Sequence, residues 1–377
     1  MRERFFNTAG PVDAQRHYCL PPLERLDLAR MLDLIADAKY FVLHAPRQTG
    51  KTTCLRALAA KLNETGEYRA VYANIESAQA EGENVEDVNR SVAESIAGAA
   101  ARDLQDGYPL ARYKELIALG ARNLVARLLG DWSQRGAPIV LCLDEADSLV
   151  GNGLLSILRQ LRAGYPDRPA AFPQSVILCG LRDLDEYRIE WPGGQHRLTS
   201  GSPFNIKAES FRLGDFTLGE IRSLYSQHTE ETGQAFAPGV VESVWELTRG
   251  QPWLVNAIGF SVTRELPEGL DRSRTVTMDM VLQAKENLIA RRMTHIDHLA
   301  NRLREDRVRR VIQPVILGET SLLTATGDDI RYAEDLGLIR QTETGVEIAN
   351  PIYQEVIPRL LTAVTEINLG ATSKPSA

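Results

Sequence analysis

Apolar and polar positions divide the chain into a strand-rich first half and a helix-rich second half. Tyr40–Leu43, Pro138–Leu143 and Ser175–Cys179 are apolar runs without alternation, and Tyr68–Ile75 reads as a further strand. An alternating strand leaves one face in water; an unbroken apolar run suits the centre of a parallel sheet covered on both sides. Each run ends in polar residues: His44, Asn74 with Glu76, Asp144-Glu145, and Arg182-Asp183. Helical spacing separates the runs. Leu23–Leu32 is amphipathic, Leu55, Leu58 and Leu62 share a face, and two further helices are expected near 84–104 and 109–134. In the last, Leu116, Leu119, Leu124, Leu128 and Trp132 make one broad apolar face. Residues 190–203 are rich in turn formers, and Phe204–Phe211 predicts a fifth strand.

Beyond Phe211 the period becomes helical. Thr217–Glu230, Pro238–Arg249 and Gln251–Arg264 predict three helices, with Gly250-Gln251-Pro252 punctuating the last two. Residues 278–310 continue as a helical, arginine-rich stretch. From 308 to 361 the order is helix, turn, helix (Asp328–Gly337), hairpin (Leu338–Ile348, turning at Thr344-Gly345) and helix (Ile352–Leu361). That order suits a winged helix-turn-helix. The reading is therefore α/β with a parallel sheet over residues 1–215, a helical lid over 216–277, and a linker helix with a winged-helix domain over 278–365. The polar tail 366–377 is expected to be disordered.

Chemistry enters at the end of the first run. His44-Ala45-Pro46-Arg47-Gln48-Thr49-Gly50-Lys51-Thr52-Thr53 is a turn that opens a helix directly after a strand. That is the context of a phosphate-binding loop. In the loop Pro46–Thr53, successive N–H groups from Arg47 onward and the helix N-terminus would cradle phosphates; Lys51 would reach the β- and γ-oxygens, and Thr52 would offer its hydroxyl to Mg²⁺. The full pattern has Gly where this chain has Ala45, which would be strained if that position needed a positive φ.

A second motif removes the bland reading of a Lys and Thr merely starting a helix. The run Pro138–Leu143 ends in Asp144-Glu145, at the strand edge where open α/β sheets bind ligands. Asp144 would hold Mg²⁺ through water, and Glu145 would orient and polarise an attacking water. Arg182 would emerge on the same edge, or else lie on the surface paired with Asp183 or Asp185. Tyr18 and Leu20 either line a purine pocket or pack the helix that follows them. Together the motifs indicate an ATP site.

Composition narrows the class further. A chain of 377 residues has room for two or three domains, and its 44% hydrophobic and 25% charged content is that of a soluble globular protein. A net charge of −7 offers no global field for nucleic acid or acidic membranes. No run is long enough to span a bilayer, and the N-terminus lacks a signal-peptide core, so a cytoplasmic protein is expected. Cys19, Cys54, Cys142 and Cys179 lack metal-ligand spacing and read as small buried hydrophobes.

The motifs His44–Thr53, Val140–Glu145, Ile177–Asp183 and Gly250-Gln251-Pro252, followed by the C-terminal helix–hairpin–helix, resemble in that order the AAA+ superfamily and the related STAND ATPases. The resemblance is strongest to bacterial AAA-like ATPases with an Arg-Gln-Thr-Gly-Lys-Thr loop, and it spans roughly residues 5 to 365. It implies that Lys51 and Thr52 bind phosphate and metal, that Asp144 is the metal-side acid, and that Glu145 is the catalytic base. It further implies that Arg182 senses the γ-phosphate, that Pro252 packs on the nucleotide, and that Arg197 is a candidate trans-acting finger. No second-sensor arginine is evident beside Pro252, which favours a switch over a fast ring motor. The implied function is an ATPase that hydrolyses ATP, with Mg²⁺, to ADP and phosphate and drives a protein partner or self-association. The alternatives are an ATP-gated scaffold with negligible hydrolysis and a DNA-acting loader or regulator. Asp328, Asp329, Glu334, Asp335, Glu343 and Glu347 outnumber Arg331 and Arg340 in the winged-helix stretch, which disfavours DNA.

Overall fold

Five parallel strands carry the first half of the chain: β1 (Tyr40–His44), β2 (Arg69–Asn74), β3 (Ile139–Asp144), β4 (Ser175–Gly180) and, beyond a hairpin of β5 (Arg188–Trp191) and β6 (Gly194–Arg197), β7 (Lys207–Arg212). They lie in the order β2-β3-β4-β1-β7. The structure is a computed structural model that describes residues 3–183, 188–191, 194–197, 206–291, 302–318, 325–343 and 345–360, with the backbone alone in 188–191 and 194–197. The described residues of Pro21–Ala45 and Lys51–Leu213 form one compact unit. Those of Met1–Leu20, Pro46–Gly50 and Gly214–Ala377 form the other.

Both faces of the sheet are covered, as the unbroken apolar runs require. Val42, Val71, Leu141 and Leu178 face one layer, packed by α3 (Val85–Asp103), α4 (Tyr108–Ile117), α5 (Leu124–Ser133) and α6 (Gly151–Gly164). Their neighbours Phe41, Tyr72, Cys142 and Ile177 face the other, packed by α1 (Leu28–Ala36) and α2 (Lys51–Glu64). Cys54, Cys142 and Cys179 are buried and unbridged, and burial pushes the Cys142 thiol up to about 12. They behave as hydrophobes.

Three expectations need correction. The helix expected over Leu23–Leu32 is a 3-10 turn (Pro22–Arg25) and an extended Leu26, after which α1 begins at Leu28. The helix expected over 109–134 is two helices, α4 and α5, because Gly120 adopts φ +104°, which a right-handed helix cannot continue. Leu119, assigned to the apolar face, lies at the break and is 68% exposed. The stretch 190–203 is no simple loop: part of it forms β6 and the end of β5. The remainder of that stretch lies outside the described residues.

The second unit is mainly helical. α7 (Leu218–Thr232) opens on a capping box of Thr217 and Glu220. α8 (Val240–Thr248) and α9 (Pro252–Phe260) follow, and α9 runs into a π-turn at Ser261–Glu265. Then come α10 (Pro267–Leu270), α11 (Met278–Ala290), α12 (Asp306–Ile316), α13 (Gly327–Asp335), a hairpin of β8 (Ile339–Thr342) and β9 (Gly345–Ile348), and helical residues 351–360. Their apolar faces share one core with Phe6, Tyr18 and Leu20 of the N-terminal segment. Tyr18 bonds through its hydroxyl to His228 Nδ1 at 3.0 Å, and burial pushes its phenol up to about 12. It therefore packs into this core rather than onto the helix that follows it. Among the described residues no helix is long and apolar enough to cross a membrane. The expected tail, and Thr344 at the hairpin turn, lie outside the described residues.

Gly250 holds α8 and α9 at their junction: its φ is +83°, its carbonyl accepts from the Phe216 amide at 2.8 Å, and a Cβ there would meet the Phe216 carbonyl oxygen at 1.8 Å. Gly233, at the end of α7, has φ +76° but open space around it. Gly233→Ala should therefore cost only the left-handed penalty of about 1–2 kcal/mol. Gly250→Ala should cost more than about 3 kcal/mol, because backbone must also move. Urea unfolding followed by tryptophan fluorescence distinguishes the two; equal shifts would refute the close approach at Phe216.

Candidate nucleotide site

The phosphate-type loop leaves β1, an inner strand flanked by β4 and β7. The Ala45 amide donates to the Gly180 carbonyl at 3.3 Å, carrying the β1–β4 ladder one residue past the strand. Ala45 is buried and its φ is not positive; the left-handed positions are Gln48 at 61° and Gly50 at 96°. The strain anticipated at Ala45 is therefore absent, since the turn makes its left-handed steps further along. Gly50 adopts its conformation freely, whereas Gln48 costs about 1–2 kcal/mol there. Alternation of this kind directs successive N–H groups towards one side, the arrangement that binds anions. Thr49 is buried and its hydroxyl donates to the Pro46 carbonyl at 2.9 Å, bracing the loop across its tip. Arg47 and Gln48 are exposed.

Lys51 begins α2 and is only 7% exposed; its ammonium donates to the Ala45 carbonyl at 2.9 Å. The next residue, Thr52, donates its hydroxyl to Asp144 Oδ2 at 2.6 Å across 92 positions of sequence. Thr53 occupies the same first turn, half-buried.

Asp144 is fully buried at the end of β3. Besides Thr52, the Tyr72 hydroxyl donates to Oδ2 at 2.8 Å, and the Glu145 amide donates to Oδ1 at 3.0 Å. A buried carboxylate survives only with such partners. Burial, and then the adjacent carboxylate, push the Tyr72 phenol well above its usual range, so it stays a donor. Sequence reasoning missed Tyr72, because its place beside Asp144 follows from the β2–β3 register, in which Asn74 pairs with Asp144.

Glu145 adopts φ 62° and ψ 41°, left-handed for a residue with no steric reason to be there. Asp147, in the 3-10 turn Ala146–Ser148, accepts the Leu181 amide at 3.0 Å and so ties that turn to the end of β4. Sequence reasoning also passed over Asp147. Arg182 follows Leu181 and is half-buried. Its neighbour Asp183 pairs with Lys207 at 2.6 Å; burial raises its carboxyl, but the Lys207 bond and charge outweigh that and lower it overall. Lys51, Thr52, Asp144, Glu145 and Arg182 thus lie on one edge of the sheet, after β1, β3 and β4. Pro252 is buried as the first residue of α9, capped by Gln251, in the other unit. Arg197 ends β6, and its side chain lies outside the description.

The oxygens of Thr52 and Asp144 are hard donors brought together beside a phosphate-type loop. That donor set fits Mg²⁺ carrying nucleotide phosphates, which binds through one or two protein oxygens and the phosphates themselves.

Residues 35–187 match a family model described as an AAA domain. Among curated proteins no sequence match reaches significance. Similar solved structures include the Walker-type ATPase PABY2304 of Pyrococcus abyssi, with 17% identity, a TM-score of 0.62, and coverage of 94% of this chain and 99% of that one. The ORC2 protein of Aeropyrum pernix, solved in ADPNP-ADP complexes, aligns with 14% identity, a TM-score of 0.50, and coverage of 94% and 96%. The Aeropyrum pernix ORC1 protein, solved in complex with DNA, aligns with 16% identity, a TM-score of 0.47, and coverage of 91% and 95%. At these identities the likeness is one of fold. Parallel strands β1 to β4, the loop and the acids that end β3 thus lie within residues 35–187, which match the AAA domain model, and PABY2304 shares the fold over nearly the whole chain.

Proposed function

We propose that this protein binds ATP with Mg²⁺ at Pro46–Thr53 and hydrolyses it to ADP and phosphate, acting as a nucleotide-driven switch for a partner protein. The observation that carries the reading is the 2.6 Å contact of the Thr52 hydroxyl with Asp144, which unites the two motifs. The backbone N–H groups of the loop bind the phosphates, and Lys51 neutralises the β- and γ-oxygens. Thr52 and Asp144 hold Mg²⁺, which when bound offsets charge on the phosphate oxygens. Glu145 orients the attacking water and accepts its proton. Its strained backbone supports that role, because such strain gathers at active sites. Arg182 contacts the γ-phosphate and reports its loss. Pro252 packs on the nucleotide from the lid, which we read as 216–277, and the helices and hairpin of 278–365 form a winged-helix domain.

Removing the Lys51 ammonium should abolish ATP binding at micromolar concentrations, so Lys51→Ala titrated by calorimetry tests the site itself. Undiminished binding would move the nucleotide elsewhere. Glu145→Gln should keep ATP affinity and lose turnover, since the cradle stays while water activation goes. Phosphate release equal to wild type would take Glu145 out of the mechanism.

Arg182→Ala should weaken ATP more than ADP, because only ATP offers the γ-phosphate contact. Equal loss for both nucleotides would return Arg182 to a surface role.

DNA binding through the C-terminal helices is disfavoured by how their arginines are used. Arg307 and Arg310 both reach Asp329 at 3.3 Å, Arg302 pairs with Glu305 at 2.8 Å, and Arg340 pairs with Glu347 at 2.8 Å. Phosphate neutralisation supplies most non-specific DNA affinity, and guanidinium groups already paired with acids supply less of it. The full chain should bind duplex DNA no tighter than ~10⁻⁴ M at physiological salt. Micromolar, salt-sensitive binding in an anisotropy titration would put the DNA-acting reading first.

A further inference from the structure

A groove of about 890 Å³ runs along the helical layer of the sheet unit, between α3, α5 and α6. Arg122, Arg127 and Arg159 line it, and none of the three has an ion-pair partner among the described residues. Two arginines elsewhere on the same layer are paired, Arg90 with Asp87 at 2.8 Å and Arg112 with Asp131 at 2.7 Å. The walls are braced from behind. Gln160 accepts the Ala126 amide at 3.0 Å and donates to Asn89 Oδ1 at 2.9 Å, tying α5, α6 and α3 together. Val85, Ala126 and Ala163 add apolar surface, and Asn84 and Asn152 add carboxamides at the ends. Two acids also line the groove, Glu86, which lies 3.7 Å from Arg90, and Asp167.

We propose that this groove docks an acidic, partly apolar peptide segment of a partner protein. This rests on reading the chain as a partner-directed switch and names the chemistry of the partner. Three unpaired guanidinium groups on a chain of net charge −7 are a local exception that an acidic segment complements. The carboxamides suit peptide N–H and C=O groups, and Val85, Ala126 and Ala163 suit its apolar side chains. A nucleic-acid strand fits less well, because Glu86 and Asp167 repel a uniform row of phosphates. The chain's own last residues, 361–377, balance Glu366 against Lys374 and are not acidic. α6, which carries Arg159, begins six residues after Glu145, so a segment held there rests on the helix that follows the proposed catalytic acid.

The test is an anisotropy titration of the full chain with three labelled probes. They are a pool of peptides about twelve residues long with Asp or Glu at every third position among apolar residues, the same pool with Lys replacing the acids, and a thymidine oligonucleotide of similar length. The acidic pool should bind at least about tenfold more tightly than either other probe. Charge reversal by Arg127→Glu with Arg159→Glu should weaken it at least about tenfold, while Arg127→Lys with Arg159→Lys should stay within about threefold of wild type. Both double variants should bind ATP as wild type does, which also reports that they fold. Equal binding of the acidic and lysine pools, preference for the oligonucleotide, or undiminished binding by the charge-reversed protein would overturn the proposal. Loss of the acidic-pool preference with ATP binding intact would sink the groove alone. Absence of ATP binding in wild type with that preference intact would sink the nucleotide reading alone.

Discussion

The carboxylate of Asp144, with no exposed surface, constrains everything around it. Burying such a group costs several kcal/mol unless its lone pairs are met by donors. Here the donors come from three places: the first turn of α2, the middle of β2, and the residue immediately after β3. Each is thereby held in position. Thr52 fixes where α2 starts relative to β3, and Tyr72 anchors the β2–β3 register. The Glu145 amide turns back to Asp144 as the chain enters a left-handed step. The acid is thereby a structural keystone.

Parallel pairing makes such a meeting possible. In this sheet all strand carboxyl ends lie on one edge, so loops after β1, β3 and β4 converge although they are far apart in sequence. β4 lies between the loop strand and the acid strand, which brings Leu181 and Arg182 into the interval between Lys51 and Glu145. The bond from the Leu181 amide to Asp147 ties that interval to the turn after Glu145. A change at either acid has a short path to the β4 loop. Beneath the edge, side chains alternate between two apolar layers, so the strands are rigid and the polar groups at their ends inherit that rigidity.

Charge in the second unit follows a different logic. Asp329 is 1% exposed, caps α13 with Thr326, and takes two arginines from α12. Burial alone would raise its carboxyl, but the Thr326 bonds and the charges of Arg310 and Arg307 lower it overall. What reads along the chain as a basic helix beside an acidic one is in space a set of neutralised pairs. On the sheet unit, by contrast, Arg122, Arg127 and Arg159 at the α3–α5–α6 groove have no ion-pair partner among the described residues.

The sequence by itself determined the strands, the loop, the acids after β3 and most helices. Unbroken apolar runs admit few structures other than a covered parallel sheet, and a loop between strand and helix needs only local chemistry. Local signals also set the starts of α7 and α9, through Thr217 with Glu220 and through Gln251-Pro252. Tertiary structure decided what depends on partners distant along the chain. It brought Tyr72 to Asp144, sent Tyr18 into the core with His228, and consumed the charge of Arg307 and Arg310 at Asp329. The break of the α4–α5 stretch at Gly120 is local, a positive φ that the apolar face alone did not reveal. Periodicity reports which face a residue turns to the core. Which residue waits there is settled only when the elements pack.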